Sequence, residues 1–185
     1  MTDYLVKRLS LNSKSRVLEI GCSDGSQLQF FKKFNMKVLG IDPASNATEI
    51  AKKRGIPVIT GFFNYQLAKK LRNRGSRFDL IIGINLLNHI IKLKDFLKGI
   101  KLLLKPKGTA FFKFFMQREL DIITHEHVFY FSFLSLKNVF QNVGLEMYDA
   151  EINKGGVNIF VARKGVFPIS KNVEYFINKE LKKRI

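Results

Sequence analysis

The sequence predicts an α/β fold, in which a mainly parallel sheet carries helices on both faces and a C-terminal antiparallel hairpin. Short apolar runs alternate with segments whose apolar residues recur at helical spacing, which is typical of strand–helix–strand units. The run 78–84 is mostly apolar, as in a strand buried on both faces. Near the C-terminus, two strand-like runs flank a turn that contains Gly155 and Gly156, which predicts the hairpin.

The first half of the chain predicts a leading helix followed by a regular alternation. Apolar residues recur at helical spacing in four segments, for example at Phe30, Phe31 and Phe34. The predicted helices are 4–9, 26–34, 47–54 and 65–73, and the predicted strands are 16–20, 37–41, 58–60 and 78–84.

The second half continues the alternation and then changes character. A helix is expected over 95–104 because Pro106 and Gly108 follow it, and a strand is expected over 109–115. The helix 134–142 ends before Gly144, and the hairpin strands are 145–152 and 157–163. A last helix is expected over 170–184.

Composition favours one globular domain with a hydrophobic core. Of 185 residues, 46% are hydrophobic and 25% are charged, which excludes a disordered chain. Cys22 is the single cysteine and cannot form an intramolecular disulfide. Neither a signal peptide nor an apolar run of about 18 residues is present, so we expect a cytoplasmic protein without a membrane span.

The net charge of +17 would attract phosphate-bearing partners over long range. The basic residues are distributed over nearly every predicted helix and do not gather in one stripe. A solvated basic surface is therefore the simpler interpretation, and the spread argues against a nucleic-acid partner without excluding one.

The segment 17–26 is typical of a strand, a tight glycine turn and the start of a helix. Gly21 can adopt backbone angles that a side chain forbids, and Gly25 allows the helix to approach a ligand closely. Asp42 ends the next strand, where an acid accepts hydrogen bonds from ribose hydroxyls in dinucleotide-binding sheets. The glycine spacing does not fit the Gly-x-Gly-x-x-Gly pattern of a dinucleotide pocket. A turn that binds nothing stays an alternative.

This segment resembles motif I of the class I S-adenosyl-L-methionine (SAM)-dependent methyltransferases, with Ser23 where the middle glycine often stands. The resemblance implies a Rossmann-like class I methyltransferase fold with a seven-stranded sheet, and SAM as the cofactor. The late antiparallel strands match that topology and not the all-parallel dinucleotide fold. The residues implied for cofactor binding are Glu19, Gly21, Cys22, Ser23, Asp24, Gly25, Asp42, Pro43 and Asn85.

The three histidines, His89, His125 and His127, follow predicted strands. Ligands of open α/β sheets bind beyond the carboxyl ends of the strands, so all three are expected near one cleft. Here the chain resembles the sugar C-methyltransferase family over residues 4–180. The matching stretches are 17–25, 38–43, 85–89, His125-Glu126-His127, Tyr130-Phe131-Ser132, 144–146 and Gly155-Gly156. Members of that family methylate a carbon of a nucleotide-linked keto-sugar.

The resemblance implies a role for each matching residue. A carbon beside a ketone becomes nucleophilic after it loses a proton, and a histidine of near-neutral pKa suits the base. His127 is implied as the general base, Glu126 as its orienting partner or a contact to the keto-sugar, and His89 as a helper near the enolate. The implied substrate contacts are His125, Tyr130, Gly155 and Gly156. Three alternatives stay open: ordinary loop histidines, a zinc site built from the three histidines, and a glycine pair that only forms the turn.

We expect one SAM-binding methyltransferase domain over 1–185, with a substrate-side segment at about 120–165 and a nucleotide-sugar as substrate. The chain departs from the family at Thr124, Val157 and Ile159, and its single cysteine cannot form the cysteine-rich zinc domain that the family carries at its N-terminus. A separate subunit that replaces this domain is therefore one expected partner. Two alternatives stay open: a SAM-binding accessory domain without catalysis, and a methyltransferase that acts on RNA or another anionic substrate.

Overall fold

The computed structural model describes residues 1–114, 127–153 and 156–182. Within these ranges the chain forms one sheet flanked by helices. The helices are α1 Thr2–Arg8, α2 Ser26–Lys33, α3 Ser45–Lys53, α4 Tyr65–Asn73, α5 Leu93–Leu103, α6 Phe133–Gln141 and α7 Lys171–Lys182. The strands are β1 Arg16–Ile20, β2 Lys37–Asp42, β3 Val58–Thr60, β4 Phe78–Ile84, β5 Leu104–Phe114, β6 Leu145–Asn153 and β7 Gly156–Arg163.

The sheet has seven strands in the order β3-β2-β1-β4-β5-β7-β6. Strands β1 to β5 are parallel, whereas β7 runs antiparallel to both β5 and β6. The predicted fold class is therefore confirmed, including the C-terminal hairpin. The parallel strands end at one edge, which we call the carboxyl edge, and begin at the opposite edge, the amino edge.

Two apolar layers cover the sheet, because successive strand residues point to opposite faces. On one face, α1, α2 and α3 contribute side chains such as Leu5, Phe31 and Ala51. On the other face, α4 to α7 pack over Leu18 and Phe112. This arrangement confirms the prediction of helices on both faces. No helix in the described part of the chain is long and apolar enough to cross a membrane.

Strand β5 begins earlier than the sequence predicts. Leu104 already pairs with Phe78, and the register then shifts so that Leu80 pairs with Thr109. The extra residues include Pro106, which has no N–H group to donate to the ladder. Gly108 is required in this bulge, because a Cβ atom there would lie 2.7 Å from the carbonyl oxygen of Phe78.

Candidate functional site

The turn after β1 is held against the end of β2 by backbone hydrogen bonds. The Gly21 N–H donates to the carbonyl oxygen of Ile41 at 2.8 Å, and the Gly25 N–H donates to that of Cys22 at 2.9 Å. Gly21 has φ +74° and Gly25 has φ +73°, a region in which glycine meets no steric penalty. Ser23, where the family pattern often has glycine, also adopts a positive φ of 48°.

Asp42 connects this turn to the start of the next crossover. One carboxylate oxygen accepts the Ser23 N–H and the other accepts the Ala44 N–H, both at 2.8 Å. Each oxygen of a carboxylate has about two acceptor sites, so both oxygens can accept a further bond. Asp42 also lines a cleft at the carboxyl edge of the sheet, and its carboxylate is therefore suited to accept two hydroxyl donors from a ligand.

Gly25 is needed for space as well as for its backbone angle. A Cβ atom at this position would lie 3.1 Å from the Ala51 Cβ and 3.2 Å from the Ile56 Cγ1. The glycine therefore allows the start of α2 to pack directly on the α3 region, which determines where the turn lies.

Cys22 lies beneath the turn, with only 4% of its surface exposed. A Cβ atom on Gly40 would lie 2.5 Å from the Cys22 Sγ, so the glycine in β2 makes room for the thiol. Burial raises the pKa of Cys22 to about 12, which keeps the thiol protonated at neutral pH. A cofactor contact of Cys22 would therefore rest on its backbone. Nothing in the local sequence pattern links Gly40 to Cys22, so this contact could not be predicted.

Glu19 is a buried carboxyl group close to the turn. It is 3% exposed, and its Oε2 has no hydrogen-bond partner in the described part of the chain. Burial raises its pKa to about 8, and the neighbouring charges of Asp24 and Asp42 add to the effect. A buried acid among other acids is suited to a cationic ligand group, which would favour its ionised form.

Asp24 is engaged with protein groups at the rim of the turn. Its Oδ1 accepts hydrogen bonds from the Ser26 N–H and hydroxyl, and its Oδ2 forms an ion pair with Arg54. The Ser26 hydrogen bonds, more than the Arg54 charge, lower the pKa of Asp24. These contacts give Asp24 a structural role at the start of α2, and its cofactor contact stays a prediction.

A cleft of about 580 Å³ lies beyond the carboxyl ends of β1, β2 and β4. Gly21, Asp42, Pro43 and His89, which the sequence singled out, all line it. The cleft also has residues that the sequence did not indicate, and most of these are apolar: Phe62, Phe63, Asn64, Ile90, Ile91, Asp95 and Phe96. They carry no motif, and only the tertiary fold brings them together.

Asn85 follows β4 directly and adopts a positive φ of 48°. Its N–H donates to the carbonyl oxygen of Lys113 at 2.7 Å, which anchors the loop on β5. This conformation turns the chain so that the next residue, Leu86, lines the cleft. The cofactor contact of Asn85 itself stays a prediction.

The fold brings His89, His127 and Tyr130 together. The rings of His89 and His127 are 5.0 Å apart between centroids, and those of His127 and Tyr130 are 5.7 Å apart. Asn88 aligns the two segments, because its backbone oxygen accepts the N–H groups of Val128 at 2.8 Å and Phe129 at 3.2 Å. Two buried polar atoms of this region, the His127 Nδ1 and the Asn88 Oδ1, have no hydrogen-bond partner within the described residues.

Three of the predicted site residues lie outside the described residues: His125, Glu126 and Gly155. Gly156 opens β7 with φ +109° and pairs with Asn153, as expected for a hairpin turn. Among the residues that the structure describes, no three His, Cys, Asp or Glu side chains come close enough to hold a metal ion.

A protein-family model described as a methyltransferase domain matches residues 2–150. The chain belongs to this methyltransferase family. The matched range includes the turn, Asp42, the residues that line the cleft, and both His89 and His127.

Curated relatives of this methyltransferase include both C- and O-methyltransferases. The C-methyltransferase NovU of Streptomyces niveus is 30% identical over 88% of the chain and 41% of its own length. A ubiquinone biosynthesis O-methyltransferase of Bartonella bacilliformis is 28% identical over 52% of the chain and 39% of its own length. The chain thus spans about two fifths of the length of these relatives.

Solved methyltransferase structures share the fold. A TehB-like SAM-dependent methyltransferase from Corynebacterium glutamicum superposes with a TM-score of 0.66 over 87% of this chain and 86% of that one, at 20% identity. A Haloferax volcanii putative methyltransferase, in complex with the Trm112 methyltransferase activator, has a TM-score of 0.69 over 88% of each chain, at 12% identity.

SAM is the cofactor of this methyltransferase, as the family and its structural neighbours imply. The residues fit it. SAM carries an ammonium and a sulfonium group, which complement the unpartnered Oε2 of Glu19 and its acidic neighbours. Its ribose hydroxyls are donors for Asp42, and the apolar cleft accommodates an adenine ring.

Proposed function

We propose that this methyltransferase transfers a methyl group to a carbon beside the keto group of a nucleotide-linked sugar. The observation that carries the proposal is the pair of imidazoles, His89 and His127, with ring centroids 5.0 Å apart and with His89 in the lining of the cleft. Methylation at oxygen often starts from an acidic hydroxyl, whereas methylation at carbon needs a base for the C–H bond. Two histidines beside the cleft favour the second chemistry.

His127 is the proposed general base. Its Nδ1 is buried and has no hydrogen-bond partner among the described residues. In the neutral tautomer that carries its proton on Nε2, this atom has a lone pair that can accept a proton. Removal of the proton from the carbon beside the ketone moves negative charge to the ketone oxygen and forms an enolate. A base held in place accelerates such a step roughly 10²- to 10⁴-fold.

The neighbours of His127 would stabilise the enolate and orient the base. His89 packs edge-on against the His127 ring and is placed to donate to the enolate oxygen when it carries a proton. Tyr130 packs edge-on against the His127 ring and would help to orient it. Glu126 and His125, which adjoin His127 in sequence, are proposed as its orienting partner and as a substrate contact.

Asp42 and Glu19 would hold the cofactor in this scheme. When bound, SAM supplies a methyl group that is already activated by the sulfonium, so the protein has to supply position, a base and exclusion of water. The apolar side chains of the cleft, such as Leu86 and Phe63, exclude water from the reacting groups.

The match to NovU supports methyl transfer to carbon, because NovU is named as a C-methyltransferase and the similarity covers 88% of this chain. The nucleotide-sugar substrate follows from the resemblance of the residues around His127 to the sugar C-methyltransferases. The separate subunit expected from that resemblance, and the cytoplasmic location, stay predictions.

Two variants test the proposal by separating cofactor binding from proton removal. Each protein is incubated in heavy water with nucleoside-diphosphate keto-sugars, and deuterium uptake beside the ketone is followed by NMR without SAM. Binding of S-adenosylhomocysteine is measured by calorimetry. We expect His127→Ala to lose the exchange by 10²-fold or more and to bind S-adenosylhomocysteine normally. Asp42→Ala should keep the deuterium exchange. It should bind S-adenosylhomocysteine about 10- to 100-fold more weakly, because the ligand loses two hydrogen bonds to a charged group.

The same measurements define what would contradict the proposal. Deuterium uptake that is unchanged in His127→Ala would remove His127 as the base. A product methylated at oxygen, identified by NMR after SAM is added, would remove the C-methyl assignment. Binding of S-adenosylhomocysteine by a folded wild-type protein that catalyses neither deuterium uptake nor methyl transfer would favour the accessory-domain alternative.

A further inference from the structure

A second concave surface lies at the amino edge of the sheet, opposite the cofactor cleft. This groove has a volume of about 640 Å³ and lies between the loop before β1 and the starts of β4 and β5. Four cationic side chains line it, those of Arg8, Lys14, Lys105 and Lys107, together with one acidic side chain, that of Asp79.

The acids near the groove are already paired. Asp79 forms an ion pair with Lys105 at 2.7 Å and also accepts the backbone N–H of Arg16 at 2.8 Å. Arg8 is paired with Asp149. Lys14 and Lys107 are exposed, and neither forms an ion pair with a described residue. The groove therefore has two cations without a protein counter-charge.

The positive charge continues along the amino edge beyond the groove. Arg16 and Lys37 are the first residues of β1 and β2, and they are partners in the register of the two strands. Together with Lys14 and Lys107 they form what we call the basic edge. It extends over β2, β1, β4 and β5, which at about 4.8 Å per strand is about 14 Å, longer than a single phosphate group.

Arginines outside the groove add to this imbalance. Arg77 directly precedes β4, and its Nε is buried without a hydrogen-bond partner in the described part of the chain. Burial, and then the charges of Arg77 and Arg72, lower the pKa of Arg163. The positive charges of these arginines thus repel one another near the amino edge.

The groove also has an aromatic wall. The rings of Tyr148 and Phe167 line it and are 4.7 Å apart between centroids. The hydroxyl groups of Tyr148 and Thr109 are hydrogen-bonded at 3.0 Å, which fixes the Tyr148 ring. Aromatic side chains beside a row of cations are the combination with which proteins bind single-stranded nucleic acids, through base stacking and phosphate contacts.

We propose that the groove and the basic edge bind the phosphates and bases of a single-stranded nucleic acid. The groove is concave and has aromatic walls, which suits a flexible chain of nucleotides better than a flat lipid surface. The site lies at the opposite edge of the sheet from the SAM cleft, so it serves attachment and not methyl transfer. The proposal does not depend on the substrate proposed for the cleft.

The test compares two double variants with the same change in charge. A fluorescent single-stranded RNA of about 15 nucleotides is titrated with protein at several salt concentrations. The groove variant is Lys14→Gln with Lys107→Gln. The control is Lys94→Gln with Lys98→Gln, two exposed lysines of α5 outside the groove.

We expect the wild-type protein to bind with an affinity that falls with salt by about 0.7 logarithmic units for each phosphate contact. The groove variant should show a slope smaller by about 1.4, because two contacts are removed, and the control variant should keep the wild-type slope. Calorimetry should show unchanged binding of S-adenosylhomocysteine in both, which confirms that the variants are folded.

Three results would overturn the proposal. In the first, the wild-type protein does not bind the RNA at about 50 mM salt. In the second, both double variants lose the same affinity, which would make the attraction a property of the net charge alone. In the third, sedimentation with anionic phospholipid vesicles shows tighter binding than RNA and the same sensitivity to Lys14 and Lys107, which would make a lipid surface the partner.

Discussion

Glu19 is the residue whose chemistry departs furthest from its ordinary behaviour. In solution its carboxyl group is ionised at neutral pH, but burial and the charges of Asp24 and Asp42 raise its pKa to about 8. In the absence of a ligand much of the protein therefore carries a neutral Glu19 at pH 7. A cationic ligand group next to it favours the ionised form and lowers this pKa.

This linkage predicts that the affinity for S-adenosylhomocysteine depends on pH. Because the ligand's ammonium group prefers the ionised carboxylate, affinity should rise between about pH 6 and pH 8, by at most tenfold per pH unit, and then level off. Calorimetry across this range is the measurement. Glu19→Gln, which cannot ionise, should show a flatter profile, and a profile as steep as that of the wild type would exclude Glu19 as the titrating group.

The same shift has the opposite effect on stability without ligand. The unfolded chain ionises Glu19 near its ordinary pKa of 4.5, whereas the folded protein holds the proton until about pH 8. The contribution of this group to the free energy of unfolding is therefore fully present below about pH 4.5 and is lost as the pH rises towards 8.

Among the secondary-structure elements, α7 has a specific role for the site. The carboxylate of Glu180 accepts the N–H groups of Phe133 at 2.8 Å and Leu134 at 3.0 Å, which are the first residues of α6. The rings of Phe133 and Phe176 stack at 4.6 Å between centroids. Because α6 begins shortly after His127, this contact braces the segment that carries the proposed base.

We expect Glu180→Ala to loosen this segment without affecting the cofactor cleft. The first N–H groups of α6 lose a charged acceptor, which costs about 1–2 kcal/mol in the free energy of unfolding. Hydrogen exchange at Phe133 and Leu134 should become faster, while binding of S-adenosylhomocysteine stays unchanged. Glu174→Ala, an exposed acid in the first turn of α7, is the matched control, and equal effects in both variants would show that the brace is not specific.

At the scale of the whole molecule, the cleft couples cofactor binding to the stability of the fold. The lining comes from the ends of β1 and β2 and from the loops after β3 and β4, so a ligand contacts elements across the centre of the sheet. Such a ligand binds the folded state and not the unfolded chain, and it stabilises the protein by mass action.

We therefore predict that S-adenosylhomocysteine raises the melting temperature. At a concentration 100-fold above the dissociation constant it adds about 2.7 kcal/mol, which for a domain of this size corresponds to roughly 5–10 °C. Thermal unfolding followed by circular dichroism is the measurement. Asp42→Ala at the same ligand concentration should show a much smaller rise, and an equal rise would place the ligand away from Asp42.

Local sequence patterns account for the outline of the fold. The alternation of strands and helices, the glycine turn with Gly21 and Gly25, and the late hairpin all follow from hydrophobic period and turn residues within short windows. Asp42 ends β2 and His89 follows β4. Their place in the cleft could be predicted because ligands of such sheets bind at the carboxyl edge.

Contacts between distant residues, in contrast, depend on how the elements pack in the folded protein. The space at Gly40 for the Cys22 thiol, the 5.0 Å approach of the His89 and His127 rings, and the brace from Glu180 all join residues far apart in sequence. The raised pKa of Glu19 likewise depends on burial and on charges from the turn and from β2. These properties arise from packing between elements, which no local window contains, because burial and charge proximity exist only once the sheet has formed.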